Sequence, residues 1–245
     1  DLRNDAHWRT RIRDGLHQNQ FFLEAQPIAE IATGRIAFHE ALLRLAQPPS
    51  EPAPPDLFLP AARRFQLMTD IDQRVVRLTL SYLRQSGSSD LSVNLSAESL
   101  ADPAFSSLLE QTFYAAGVEP RRVILEISEQ GIIENFTRAQ EAINSIRGMG
   151  FRVALDDFGA GFSSLKHLRF LPLDLLKIDG AFIRGLPSDP KNQILVKTLA
   201  DLARQLAIQT VAEYVEDSET LALLRELGID YAQGSHIAMP GPLVP

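Results

Sequence analysis

The chain of 245 residues contains no cysteine. That excludes disulfides, a thiolate nucleophile and any cysteine-ligated metal, and it leaves oxygen and histidine as the available donors. No apolar run reaches the roughly 18 residues of a membrane-spanning helix, and no signal peptide is recognisable. Basic residues are in the minority, 24 Lys and Arg against 31 Asp and Glu, for a net charge of −7. A nucleic-acid duplex is therefore not an expected partner. The five histidines show no ligand spacing, so a metal site would rest on oxygen donors and take a hard cation such as Mg2+ or Mn2+. What remains is a chain with 45% hydrophobic residues, enough for one sizeable core. Its length suits two small domains or one large α/β barrel. The first residue is Asp rather than Met, which leads us to expect a piece of a longer protein.

Hydrophobic periodicity divides the chain. Trp8, Ile12 and Leu16 recur at helical spacing, so residues 1–20 read as a lead-in helix, arriving from an upstream region, ahead of a barrel over 21–245. Phe21 to Ile28 and Ile36 to Leu45 read as strands joined by a short loop, hence an antiparallel hairpin. Gln47 to Pro55 holds five prolines and reads as loop. Helical patterns follow over 57–65 and 70–85. A unit then repeats: a short apolar strand that ends in a polar residue, then a helix. The strand ends are Asn94, Glu126, Asp156 with Asp157, Lys177 with Asp179, Glu213 and Gln233, and the helices fall at 97–116, 136–148, 163–169, 189–206 and 217–227. Six such units and the hairpin make eight strands, the count of a TIM-type (β/α)8 barrel. A doubly wound open sheet is the alternative, but it wants a glycine fingerprint after its first strand, and Phe21 to Ile28 has none.

In such a barrel the strand C-termini share one face. Glu40, Asn94, Glu126, Asp156, Asp157, Lys177, Glu213 and Gln233 would meet there. Five carboxylates in one pocket repel one another, and divalent ions held through oxygen would resolve the clash. Two ions sharing an Asp suit phosphodiester hydrolysis, with Lys177 holding water or a phosphate oxygen and Glu213 accepting a proton. Gly159-Ala-Gly161 lacks the third glycine of a dinucleotide loop, and Ser163 and Ser164 read as a turn or helix N-cap.

The motifs Gln26-Pro-Ile28, Glu40-Ala-Leu-Leu-Arg44, Asn94-Leu-Ser96, Leu125-Glu-Ile-Ser-Glu129, Asp156-Asp-Phe-Gly-Ala-Gly-Phe-Ser-Ser-Leu165, Leu176-Lys-Ile-Asp179, Ala212-Glu-Tyr-Val-Glu216 and Gln233-Gly234 stand in one order over nearly the whole chain. In these the chain resembles the EAL domain family of cyclic di-GMP phosphodiesterases. The resemblance implies a modified (β/α)8 barrel with an antiparallel first strand. It implies hydrolysis of cyclic di-GMP to linear pGpG with Mg2+ or Mn2+, two ions, the alternative being a receptor that binds without cutting. It further implies Glu40, Asn94, Glu126 and Asp156 as ligands of one ion, Asp156 and Asp157 as ligands of the other, Lys177 as holder of the attacking water and Glu213 as base. Gln233 would line the metal site. Arg44 and Leu43 would contact phosphate and sugar, Gln26 and Pro240 would seat guanine, and Glu129, with Asp179 in a structural role, would steady the loops. A homodimer through the loop and helix after Asp157, an upstream sensor domain and a cytoplasmic location, with membrane tethering only through an upstream region, complete these expectations. The chain departs from the family's usual pattern at Ala25, Phe38, Ala160, Phe162, Ser235 and Tyr214. Tyr214 stands where glycine is usual, directly after Glu213, and is expected to displace that carboxylate or narrow the cleft.

Overall fold

A computed structural model describes residues 2–86, 89–159 and 168–243, with side chains from residue 5 onward. Eight strands close into a barrel in the order β1 (Phe21–Glu30), β9 (Tyr231–Ala232), β8 (Gln209–Ala212), β7 (Leu175–Ile178), β6 (Arg152–Phe158), β5 (Val123–Ser128), β4 (Leu91–Asn94), β2 (Ile36–Gln47) and back to β1. Within the barrel β1 runs antiparallel to both neighbours, and the other barrel ladders are parallel. The antiparallel hairpin and the modified barrel are as the sequence led us to expect. Helices cover the outside. Among them Leu2–His17 lays Trp8 and Ile12 into the outer core, beside Phe21 and Phe58.

Two elements differ from expectation. Gln47 to Pro55 is not all loop: β3 (Ser50–Ala53) pairs antiparallel with β2 through Leu45↔Ala53 and Gln47↔Ser50. Neither paired residue is a proline, and β3 lies at the sheet margin, where a missing N–H costs no ladder bond. The single helix expected over 97–116 is two, Ala97–Leu100 and Pro103–Ala116. Pro103 opens the second helix, and the Asp102 carboxylate accepts the Ala104 N–H at 2.9 Å. The helix expected over 163–169 lies largely outside the described residues, as do Ser163 and Ser164.

The barrel interior has two layers, and strand periodicity builds them. Ile28, Phe38, Ile124, Ala154, Leu175 and Val211 form one cluster with Tyr231 packed against it. Phe38 meets Tyr231 edge-on, at 5.6 Å between ring centroids. Successive strand residues face opposite sides, so positions two apart share the interior. Two residues further along the parallel strands stand Glu40, Glu126, Asp156, Lys177, Glu213 and Gln233. On antiparallel β1 the matching position, Gln26, comes two residues before Ile28, and Gln26 pairs with Glu40 as Ile28 pairs with Phe38. An apolar floor thus carries a polar layer at the strand C-termini. The outward-facing strand residues join the larger core beneath the helices.

Candidate active site

Lys177 is the centre of the polar layer. It is 2% exposed, and its Nζ lies 2.7 Å from Glu126 Oε2, 3.0 Å from Asp156 Oδ1, 3.0 Å from Glu213 Oε1 and 3.2 Å from Glu40 Oε2. Burial opposes the ammonium charge, but the four carboxylates, Glu126 foremost, hold Lys177 well above its ordinary pKa. Four carboxylates around one ammonium still leave an excess of negative charge. Their own ionisation registers it. Burial first, then Glu40 and Asp156, push Glu126 well up against the pull of Lys177. Burial also raises Glu213 to about 7, helped by Asp156 and Glu40 and opposed by Lys177. Glu40 goes the other way: burial alone would raise it, but Lys177 and hydrogen bonds from Gln233 and Asn94 hold it below the usual carboxylate range. Those bonds are Gln233 Nε2 to Glu40 Oε2 at 2.6 Å and Asn94 Nδ2 to Glu40 Oε1 at 2.9 Å.

Asp156 and Asp157 are neighbours in a strand and would ordinarily point to opposite faces. Asp157 escapes this by a left-handed backbone, φ 54°, where the β6–β7 register also slips. Asp is among the residues that tolerate that region. Carboxylate oxygens of Asp156, Asp157 and Glu213 consequently lie within 4.8 Å of one another. Burial, then Asp156, raises the Asp157 carboxyl. This group, with Glu40, Glu126 and the Asn94 and Gln233 amides, is an all-oxygen donor set of the kind that suits a hard divalent cation. Glu126 Oε1 and Gln233 Oε1 are buried and meet no hydrogen-bond donor among the described residues, which leaves them available to such an ion.

The remaining expected residues fall around this cluster. Gln26 accepts from Gln233 Nε2 at 3.1 Å and donates to the Ala238 carbonyl at 3.1 Å, in the segment that carries half-buried Pro240. Arg44 shares the interior parity of Glu40 and pairs with Glu24 on β1 at 2.8 Å. The Leu43 side chain lies on the face of β2 opposite to Glu40. Its odd register turns it outward, buried in the core beneath the helices. Leu42 has the interior parity of Glu40 and Arg44 and pairs with Glu24 on β1. Glu129 accepts the Gly159 N–H at 3.2 Å, and Asp179 caps the helix Gly180–Ile183 through the Ala181 N–H at 2.8 Å.

Tyr214 does not displace Glu213, which keeps its place beside Lys177. With φ 55°, the tyrosine adopts the left-handed conformation that glycine takes without strain. Its ring turns instead toward Gly180, where an added Cβ would come within 2.2 Å, and the Arg184 guanidinium lies 4.0 Å from the ring centroid. Beyond it, Gly234 packs so closely on Val215 that a Cβ would meet the carbonyl oxygen at 2.2 Å. This close approach fixes Gln233 beside the end of β8, where the Val215 N–H donates to the Gln233 carbonyl at 2.9 Å.

The sequence model of the EAL domain family matches residues 9–240. "Cyclic di-GMP phosphodiesterase PdeB" of Shewanella oneidensis is 37% identical over 98% of this chain and 29% of its own length. "Cyclic di-GMP phosphodiesterase PdeF" of Escherichia coli is 34% identical over 100% of this chain and 33% of its own. The chain thus spans about a third of the length of these relatives. Among solved structures, "PaMucR Phosphodiesterase, c-di-GMP complex" superposes with a TM-score of 0.90 at 29% identity, covering 96% of this chain and 98% of that one. The FimX EAL domain of Pseudomonas aeruginosa bound to c-di-GMP does so with a TM-score of 0.89 at 27% identity, covering 96% of each chain.

Proposed function

The chain belongs to the EAL domain family, and from that membership we propose that it hydrolyses cyclic di-GMP to linear pGpG. The observation that carries this reading is the placement of Glu213. It stays 3.0 Å from Lys177, with carboxylate oxygens of Asp156 and Asp157 within 4.8 Å. A general base must lie within hydrogen-bond reach of the proton it takes, and a water held by Lys177 at the cation-binding acids would lie within reach of Glu213. A receptor without catalysis is the competing reading, and the complete set of acids argues against it.

Glu40, Asn94, Glu126 and Asp156 would hold one divalent cation, Mg2+ or Mn2+, and Asp156 with Asp157 a second, with Gln233 lining the pair. Bound there, the ions supply stabilisation of the charge that develops on the phosphate and on the leaving oxygen. Lys177 donates to the attacking water and orients it. Glu213 takes its proton. Arg44 donates to a phosphate oxygen, and its present bond to Glu24 leaves other guanidinium donors free for that role. Gln26 and Pro240 seat a guanine.

We also propose a homodimer through the loop and helix after Asp157, where residues 160–167 lie outside the described set and Phe170 is exposed. An upstream sensor would fit the greater length of the relatives. No helix among the described residues is long and apolar enough to cross a membrane. A cytoplasmic location is part of the proposal and follows from the proposed substrate. Incubation of the purified chain with cyclic di-GMP and Mn2+ tests the central reading. Release of pGpG is the expected result. Tight binding of the dinucleotide with no product, with either Mg2+ or Mn2+, would install the receptor in its place.

A further inference from the structure

Asp72 is a buried carboxylate that the chemistry above does not use. It projects from the helix Met68–Gln85 and is 5% exposed. Among the described residues no Lys, Arg or His forms an ion pair with it. Its Oδ2 instead accepts twice from Ser96, from the backbone N–H at 3.0 Å and from Oγ at 2.5 Å. Ser96 Oγ in turn accepts the Ser99 N–H at 3.2 Å and caps the helix Ala97–Leu100. Ser96 stands two residues past Asn94, and the Leu95 N–H between them donates to the Glu126 carbonyl at 2.8 Å. Asn94 thus ends a four-residue strand whose exit is tied on one side to β5 and on the other to Asp72. Its side chain is exposed, and the bond to Glu40 is what directs its amide into the site.

A buried carboxylate with no cation beside it is costly. Burial raises Asp72 to about 6, against the opposing hydrogen bonds from Ser96. A neutral acceptor would avoid that cost. What the charge adds is strength in the two bonds to Ser96.

We propose that Asp72 is a positioning residue for the cation site: it anchors Ser96, and through the short Leu95 link it sets the Asn94 amide against Glu40 and a divalent ion. This rests on the reading of Glu40 and Asn94 as cation ligands. Groups that orient a ligand from behind typically change metal affinity by about 10–100-fold when removed.

The test is calorimetric titration of Mn2+ into the metal-stripped chain, without substrate, for the parent, Asp72→Ala, Asp72→Asn, Asn94→Ala and the double variant Asp72→Ala with Asn94→Ala. Asp72→Ala should weaken the tightest Mn2+ site by about tenfold. Asp72→Asn keeps an acceptor oxygen and should recover most of that loss. In the Asn94→Ala background Asp72→Ala should add less than about twofold, because coupled residues are not additive. An undiminished loss in that background would mean general loosening and would overturn the proposal. So would parent-like affinity in Asp72→Ala when Asn94→Ala is weakened. Should Asp72→Ala fail to fold, Ser96→Ala removes the hydroxyl donor from the other side, with the same expected direction and the same dependence on Asn94. If the parent binds no Mn2+, or Asn94→Ala binds it like the parent, the metal reading of the site fails, and the role of Asp72 falls with it.

Discussion

Replacing Lys177 by Met deletes the ammonium and keeps an unbranched chain in its slot. The Nζ lies 2.7–3.2 Å from oxygens of Glu126, Asp156, Glu213 and Glu40, and the residue is 2% exposed. Removing one partner of a buried ion pair typically costs about 3–5 kcal/mol. One deletion here strands four carboxylates, but they need not all stay charged. Glu213 and Glu126 are already raised and would take up protons, which keeps the loss within that range. At about 2–4 °C per kcal/mol for a chain of this size, the metal-free variant should unfold about 6–20 °C below the parent near neutral pH. The pH dependence has a definite sign. A carboxyl with a raised folded pKa binds more protons folded than unfolded, so its contribution to stability is lost as pH rises from the unfolded value to the folded one. For Glu213 that window runs from 4.5 to about 7. Lys177 lowers these carboxyls, so without it the window extends upward, and the variant should lose stability more steeply than the parent between about pH 6 and about pH 8. Thermal unfolding followed by circular dichroism, in chelator and then in Mn2+, reads both effects, and the added cation should restore part of the loss in the variant. A variant within about 2 °C of the parent throughout, or one destabilised equally at both pH values, would refute the placement of Lys177 as the neutralising centre.

Three further outcomes follow from the same geometry. Glu213→Gln keeps the shape and removes the proton acceptor, so turnover should fall by about 10²–10⁴-fold while cyclic di-GMP binding stays within a few-fold, measured by product formation and by calorimetry. Arg44→Ala should show the opposite emphasis: a lost charge-assisted hydrogen bond of about 1.5–3 kcal/mol weakens dinucleotide binding by about 10–150-fold, with a smaller change in turnover. Tyr214→Gly relieves a strain of about 1–2 kcal/mol at φ 55° but removes the ring beside Gly180 and its cation–π contact with Arg184, worth about 0.5–1 kcal/mol. Stability should therefore change by less than about 1 kcal/mol in denaturant titrations, and turnover should stay within a few-fold, because Glu213 is already in place.

The polar layer could be read from the sequence because barrel geometry turns a local regularity into a spatial one. Every parallel strand except β4, which has Ser92 before Asn94, offers an interior apolar residue and then a polar residue two positions later, and the strand C-termini must share a face. Ile124 with Glu126, Leu175 with Lys177 and Val211 with Glu213 repeat that pair, and no long-range information was needed to bring them together. The same rule turns the Leu43 side chain toward the helices and gives Leu42 the parity of Glu40. Asp157 was less accessible. Strand alternation places it outside, and only a left-handed residue at the strand end, visible as φ 54°, returns its carboxylate to Asp156 and Glu213. Asp72 lay furthest from sequence reasoning. On an amphipathic helix one carboxylate among Thr69, Asp70 and Gln73 looks like part of a solvated face. Its burial depends on where that helix crosses the exit of β4, and its partner Ser96 stands 24 residues away. Periodicity along one strand can therefore disclose the residues that meet inside the barrel. The groups that hold those residues from the helical layer depend on how one helix is docked, and no single period in the sequence encodes that.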